Sequence, residues 1–269
     1  MADLWDDLLA CLELVALPDG AGFEGRNLHL EYHRLFGGQL IGQFIAAAGL
    51  ACPGKSVKSL HVLFPREGHA DEPVRYVVDR HHEGGTFGTL AITARQSRGV
   101  IATASVSVHA AEDGLARQSV APVREAPADS REVELGLMPF EVRSKNSLDE
   151  REAGPSEHSL WIRTPAVEPG LAQAVAAYAT DLTLIGTALR AVPGVSQADA
   201  GRAFVSAVTS HTVWFHRPLR TDSWLLLRQQ SPVLAHGRSF GRGDILTADG
   251  TLVASYAQEA LLRFRDQTA

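Results

Sequence analysis

A chain of 269 residues that is 45% hydrophobic and 21% charged can bury a sizeable core, which excludes a disordered or fibrous protein. The net charge of −6 and a pI near 6.0 exclude a nucleic-acid footprint spread over the surface, so an anionic ligand needs a local arginine cluster. The two cysteines, Cys11 and Cys52, form no CxxC pair, which argues against a disulfide framework or a thiolate zinc site.

The N-terminus is acidic where a secretory signal is basic, and no run of about 18 apolar residues is present to span a bilayer. A soluble cytoplasmic protein with no membrane or nucleic-acid partner is the expectation. Residues 3–16 place Leu4, Trp5, Leu8, Leu9, Leu12 and Val15 at helical spacing between acids, which predicts an amphipathic helix stopped by Pro18-Asp19-Gly20.

Residues 31–106 and 172–260 then read as two versions of one unit. The first opens with Phe36-Gly37-Gly38-Gln39 and an apolar, alanine-rich stretch, Leu40 to Leu50, closed by Pro53-Gly54. Apolar nearly all round, that stretch predicts a helix buried inside other structure. Short β-branched runs follow up to His109, with Gly84-Gly85 and Ser97-Arg98-Gly99 as hairpin signals. The second version opens at Thr180-Asp181, with a helix predicted over 180–191 and strands over 205–217, 223–232, 238–247 and 251–264. Between them, residues 111–156 carry Pro122, Pro127, Pro139, Pro155 and many acids. Two copies are too few for a solenoid, which needs about three stacked units. The organisation predicted is α+β: an N-terminal unit 1–110, a connecting segment 111–157 and a C-terminal unit 158–269.

Several patterns invite chemistry. Gly237-Arg238-Ser239-Phe240-Gly241 matches G-x-S-x-G, but no histidine follows His236, so a serine-hydrolase triad order is not met. His81-His82 point to opposite faces if on a strand, and neither they nor the His211/His216 pair have a Cys or Asp to complete a metal shell. No metal site is expected. Asp181 sits where acids are favoured at a helix start, by about 0.3–1 kcal/mol. The helix after it is mostly apolar, so the carboxylate is expected at a buried seam, where it can act as a base or orient water. Gln258 matters if it shares that pocket. Arg238 and Arg242, at even spacing on one strand, present guanidinium groups on one face.

Phe36-Gly37-Gly38-Gln39-Leu40-Ile41-Gly42-Gln43, Asp181-Leu182, Val213-Trp214-Phe215-His216-Arg217-Pro218 and Gly250-Thr251-Leu252-Val253-Ala254-Ser255 with Gln258-Glu259 together resemble the bacterial acyl-CoA thioesterase II family over nearly the whole chain. The resemblance implies a double hotdog, two antiparallel sheets merged around two central helices, and hydrolysis of fatty acyl-CoA without metal or cofactor. It also implies oligomers through sheet edges. The family site is an Asp, a Thr or Ser, and a Gln holding a nucleophilic water. Asp181 and Gln258 match two of these. The hydroxyl position falls on Val208, so Thr209 beside it fills the role only if a bulge turns it to the same face. Arginines often found in the family after Gly85-Thr86-Phe87 are replaced by Gly88-Thr89-Leu90-Ala91, which leaves CoA phosphates to Arg238, Arg242 or a group elsewhere. Gly37, Gly38 and Gln39 are expected at the thioester, offering backbone N–H groups, and Phe36 and Trp214 along the acyl chain. Val208 also leaves open a non-catalytic acyl-CoA binder. A hydratase on this scaffold needs a His five residues after the Asp, where this chain has Gly186.

Overall fold

The computed structural model of the protein describes residues 2–30 and 34–265. Residues 31–33, where the first repeat was expected to begin, lie outside the described residues. The chain forms two compact units that interleave along the sequence: 1–119 with 167–179 and 212–215, and 120–166 with 180–211 and 216–269. Residues 167–179, expected with the C-terminal unit, therefore cluster with the N-terminal one.

In the first unit α1 (Ala2–Leu12) is followed by β1 (Val15–Ala16) and β2 (Gly22–Gly25). The predicted helix over 3–16 ends early because Val15 and Ala16 pair with Glu24 and Phe23 across the Pro18-Asp19-Gly20 turn. Next come α2 (Gly37–Ala51), β3 (Ser56–Leu63), β4 (Val74–Glu83), β5 (Phe87–Gln96) and β6 (Gly99–His109). The sheet order is β1-β2-β4-β5-β6-β3, antiparallel throughout. Strict alternation in β5 buries Leu90, Ile92 and Ala94 on one face.

Helix α2 is buried nearly all round, as its composition predicts. Its two glutamines are buried at no desolvation loss because each is satisfied. Gln39 donates to Asn27 Oδ1 (2.8 Å) and accepts from the Leu28 amide (3.1 Å). Gln43 donates to the Cys11 and Arg26 carbonyls and accepts from the Tyr76 hydroxyl (2.6 Å).

In the second unit β7 (Arg131–Glu132), β8 (Glu141–Ser144) and β9 (Glu157–Arg163) precede two short helices, α3 (Ala172–Ala179), which clusters with the first unit, and α4 (Leu184–Leu189). The remaining strands are β10 (Phe204–Phe215), β11 (Leu225–Ala235), β12 (Arg238–Thr247) and β13 (Leu252–Phe264), in sheet order β10-β13-β12-β11-β9-β8-β7. Strands β11 and β12 are joined by the two-residue turn His236-Gly237, whose φ values of 52° and 72° fit a type I′ hairpin. The G-x-S-x-G run therefore lies in a strand–turn–strand and not in a strand-to-helix elbow.

The repeat is visible in the topology. One helix is followed by four strands in each unit, and the first strand lies beside the last: β4-β5-β6-β3 in one, β11-β12-β13-β10 in the other.

The helix predicted over 180–191 is corrected. Helix α3 ends at Ala179, Thr180 to Thr183 form a turn and bend, and α4 starts only at Leu184. Three of those four residues, Thr180, Asp181 and Thr183, have short polar side chains that compete with the backbone for hydrogen bonds and so disfavour a helix interior. The break, not a helix start, positions Asp181.

One buried group in β9 makes stability sensitive to pH. His158 is almost fully buried, and burial, assisted by the Arg190 charge, lowers its pKa from 6.5 to about 4. The folded state keeps the ring neutral while the unfolded chain takes up a proton below 6.5, so this contribution is full above that pH and fades as pH falls toward 4. At 1.36 kcal/mol per pK unit the loss is about 3 kcal/mol. Urea unfolding at about pH 7.0 and about pH 4.5 is expected to show most of that loss. A His158→Gln variant is expected to lose clearly less over the same interval; equal losses would rule the histidine out.

Candidate active site

Strand β13 alternates Tyr256, Gln258, Ala260 and Leu262 inward with Ala257, Glu259 and Leu261 outward. On β10, His211, Val213 and Phe215 are buried, while Phe204 is buried with the opposite parity. The inward phase thus shifts between Phe204 and His211, as one extra residue in the strand produces.

Asp181, from the bend before α4, and Gln258, from the middle of β13, are both buried, at 4% and 2% exposure. They meet around His211, which is fully buried. His211 Nδ1 lies 2.8 Å from Gln258 Oε1 and 3.9 Å from Asp181 Oδ1, and its Nε2 lies 2.9 Å from the Thr180 hydroxyl. The ring stacks on Tyr256, with centroids 6.2 Å apart and planes inclined at 14°.

A second polar layer lies around Tyr256. The Tyr256 hydroxyl donates to Gln229 Oε1 (2.9 Å), whose amide nitrogen donates to the hydroxyls of Thr183 (2.8 Å) and Thr187 (2.7 Å). Burial holds the Tyr256 phenol well above its usual pKa, so it stays a donor. These bonds anchor the bend at Thr183 against the sheet. The adjacent Gly243 leaves room for that ring, since a Cβ there would approach Tyr256 Cζ to 2.4 Å.

With the Gln258 carbonyl taken by His211, its amide nitrogen is a buried donor with no protein partner among the described residues. A buried N–H left this way costs about 1–3 kcal/mol unless something accepts from it. A carboxylate and an N–H donor at one buried spot are complementary to a water molecule, with the carboxylate accepting a proton and the amide donating to oxygen.

Thr209 is not brought to this group. Its hydroxyl donates to the Glu259 carbonyl (3.0 Å) and carboxylate (3.3 Å), and Glu259 points to the side of β13 opposite Gln258. Arg238 and Arg242 are exposed on the outward side of β12, where Arg238 pairs with Glu259 at 3.4 Å. Their cross-strand neighbours are Leu261 and Ala257, while Gln258 opposes the inward Gly241. Both guanidinium groups therefore lie across the sheet from Gln258.

Phe36 precedes α2 and packs edge-on against Tyr178 at 5.1 Å. Gly37 and Gly38 form the first turn of α2, and a Cβ on Gly38 would meet Phe36 at 2.4 Å and the Tyr178 carbonyl at 2.6 Å. That glycine is required for close approach. Gln39 is committed to the buried bonds with Asn27 and Leu28, and Trp214 is exposed on β10.

His211 and Thr180 are the members of the cluster that the sequence did not single out for it. The signal was present: His211 falls in step with Val213 and Phe215, the buried side of its strand. His216, paired with it as a possible metal ligand, is exposed and bonds Ser255 Oγ at 3.0 Å.

Residues 113–262 match the family model described as the acyl-CoA thioesterase C-terminal domain, and residues 30–109 match the acyl-CoA thioesterase N-terminal domain. The chain is 29% identical to acyl-CoA thioesterase 2 of Haemophilus influenzae, over 99% of this chain and 100% of that one. Among solved structures it is similar to the acyl-CoA thioesterase II of Mycobacterium marinum, with 31% identity, a TM-score of 0.80, and coverage of 96% of this chain and 99% of that one. A protein of Alicyclobacillus acidocaldarius with a hot dog fold matches at 19% identity and a TM-score of 0.76, covering 95% and 97%. The architecture is the double hotdog expected from the sequence. Carrying both the N-terminal and the C-terminal domain of that family, the chain belongs to the acyl-CoA thioesterases.

Proposed function

We propose that Asp181 and Gln258 hold the water that hydrolyses an acyl-CoA thioester. The protein is a thioester hydrolase of the acyl-CoA thioesterase family. The observation that carries the residue assignment is the buried meeting of the Asp181 carboxylate and the Gln258 amide around one imidazole, with an amide N–H left for a ligand. In this reading the water donates one hydrogen to Asp181 and accepts from Gln258 Nε2, which leaves its second lone pair for the acyl carbonyl carbon. A C–O bond forms, the proton passes to Asp181, the C–S bond breaks, and the thiolate leaves to take up a proton. The products are a carboxylic acid and CoA. A thioester carbonyl is electrophilic enough for an oriented water, so no nucleophilic side chain is required.

A second reading is favoured by one observation: the Thr209 hydroxyl is held by Glu259, next to Val208, where the resemblance implies the family's hydroxyl. It is an acyl-CoA binder that does not turn over. Incubating the protein with short-, medium- and long-chain acyl-CoAs while trapping free thiol separates the two. Thiol release at one or more chain lengths is expected; tight binding with no release at any length would establish the binder instead.

A further inference from the structure

The imidazole of His211 takes part in no proton transfer in the reaction above, yet it touches every polar member of the cluster. It is fully buried, and its two nitrogens face two different segments of chain. Nε2 faces the Thr180 hydroxyl at 2.9 Å, in the bend that carries Asp181, and Nδ1 faces the Gln258 carbonyl at 2.8 Å, on β13. A carbonyl oxygen only accepts, so Nδ1 carries the proton, and in the neutral ring Nε2 accepts from Thr180. Tyr256 stacked on one face of the ring fixes its plane.

A glutamine amide has an accepting end and a donating end of nearly equal shape, and either fits the same space. Next to a carboxylate the choice decides the chemistry. With nitrogen free, Gln258 donates to a water whose other side is accepted by Asp181; with oxygen free, two acceptors face one water and its nucleophilic lone pair is no longer aimed. We propose that His211 is the positioning residue that makes this choice: held by the Thr180 hydroxyl, its Nδ1–H engages the Gln258 carbonyl and leaves the amide N–H for the reacting water. The proposal rests on the assignment of Asp181 and Gln258 to that water.

Two substitutions separate orientation from packing. Asn at 211 can place an N–H near the Nδ1 position, whereas Gln reaches the Nε2 position and loses the donor to Gln258. His211→Gln is expected to lower kcat by about 10- to 100-fold with KM little changed, the scale of a misaligned reacting group. His211→Asn is expected to recover most of that loss. A second pair guards against poor folding at 211: Thr180→Ser keeps the hydroxyl and Thr180→Val keeps the shape, so Ser is expected to turn over faster than Val. Thiol-release kinetics and urea midpoints are measured for all four together with Asp181→Asn. Equal kcat within each pair, or losses that follow stability alone, would overturn the positioning role. Full activity in Asp181→Asn would instead overturn the water-holding assignment on which it rests.

Discussion

Asp181→Asn is expected to lower kcat for acyl-CoA hydrolysis by about 10²- to 10⁴-fold, the range a positioned acid–base group contributes. The substitution keeps the shape of a side chain that is 4% exposed and removes only its charge and one accepting oxygen. Packing around the bend is then set by groups that do not change: Thr183 and Thr187 on Gln229, and Thr180 on His211. Urea stability is therefore expected to stay within about 1 kcal/mol of the parent, because removing a buried charge also removes its desolvation cost. Measured together, a large fall in kcat with an unmoved unfolding midpoint assigns the loss to chemistry. Undiminished turnover by the asparagine variant would end the proposed mechanism.

The second large effect is expected at Gln258. Gln258→Glu preserves size and keeps an oxygen for His211 Nδ1, so the 2.8 Å contact survives. What changes is the other end, where an N–H donor becomes an accepting, charged oxygen close to Asp181. The water then meets two carboxylates and no donor. A fall of about 10²- to 10³-fold in kcat is expected at neutral pH, similar to loss of one preorganised donor. The same like-charge pairing makes protonation of one carboxyl easier. A protonated Glu at 258 regains an O–H donor, so the deficit relative to the parent should narrow as pH is lowered. A pH–rate profile of the two proteins checks this; a deficit that is absent, or that widens in acid, would show that Gln258 does not act as a donor.

Much of the architecture could be read from local pattern. Local pattern located β12 and β13 within a residue or two, and the hairpin signals Gly84-Gly85 and Ser97-Arg98-Gly99 lie at the real turns between β4 and β5 and between β5 and β6. The all-round apolar stretch from Leu40 to Leu50 is indeed a buried helix. The break at 180–183 was harder to see, because Leu182, Leu184 and Ile185 continue a helical apolar spacing. Hydrogen bonds from Gln229, distant in sequence, hold the two threonines of that bend and of α4 in place. Thr209 shows the same limit from the other side: one shift of phase in β10 decides which face its hydroxyl takes, and no local residue pattern announces it.

The amino-acid sequence by itself determined the repeat, most strand segments and the presence of the carboxylate and the amide that we propose hold a water, since periodicity and side-chain chemistry are local properties. Only the tertiary structure decided that these two groups converge on His211, that Arg238 and Arg242 lie across the sheet from them, and that Thr209 turns to Glu259. Each of those outcomes depends on strand pairing between segments far apart in the chain, where a shift of a single residue exchanges the two faces of a sheet.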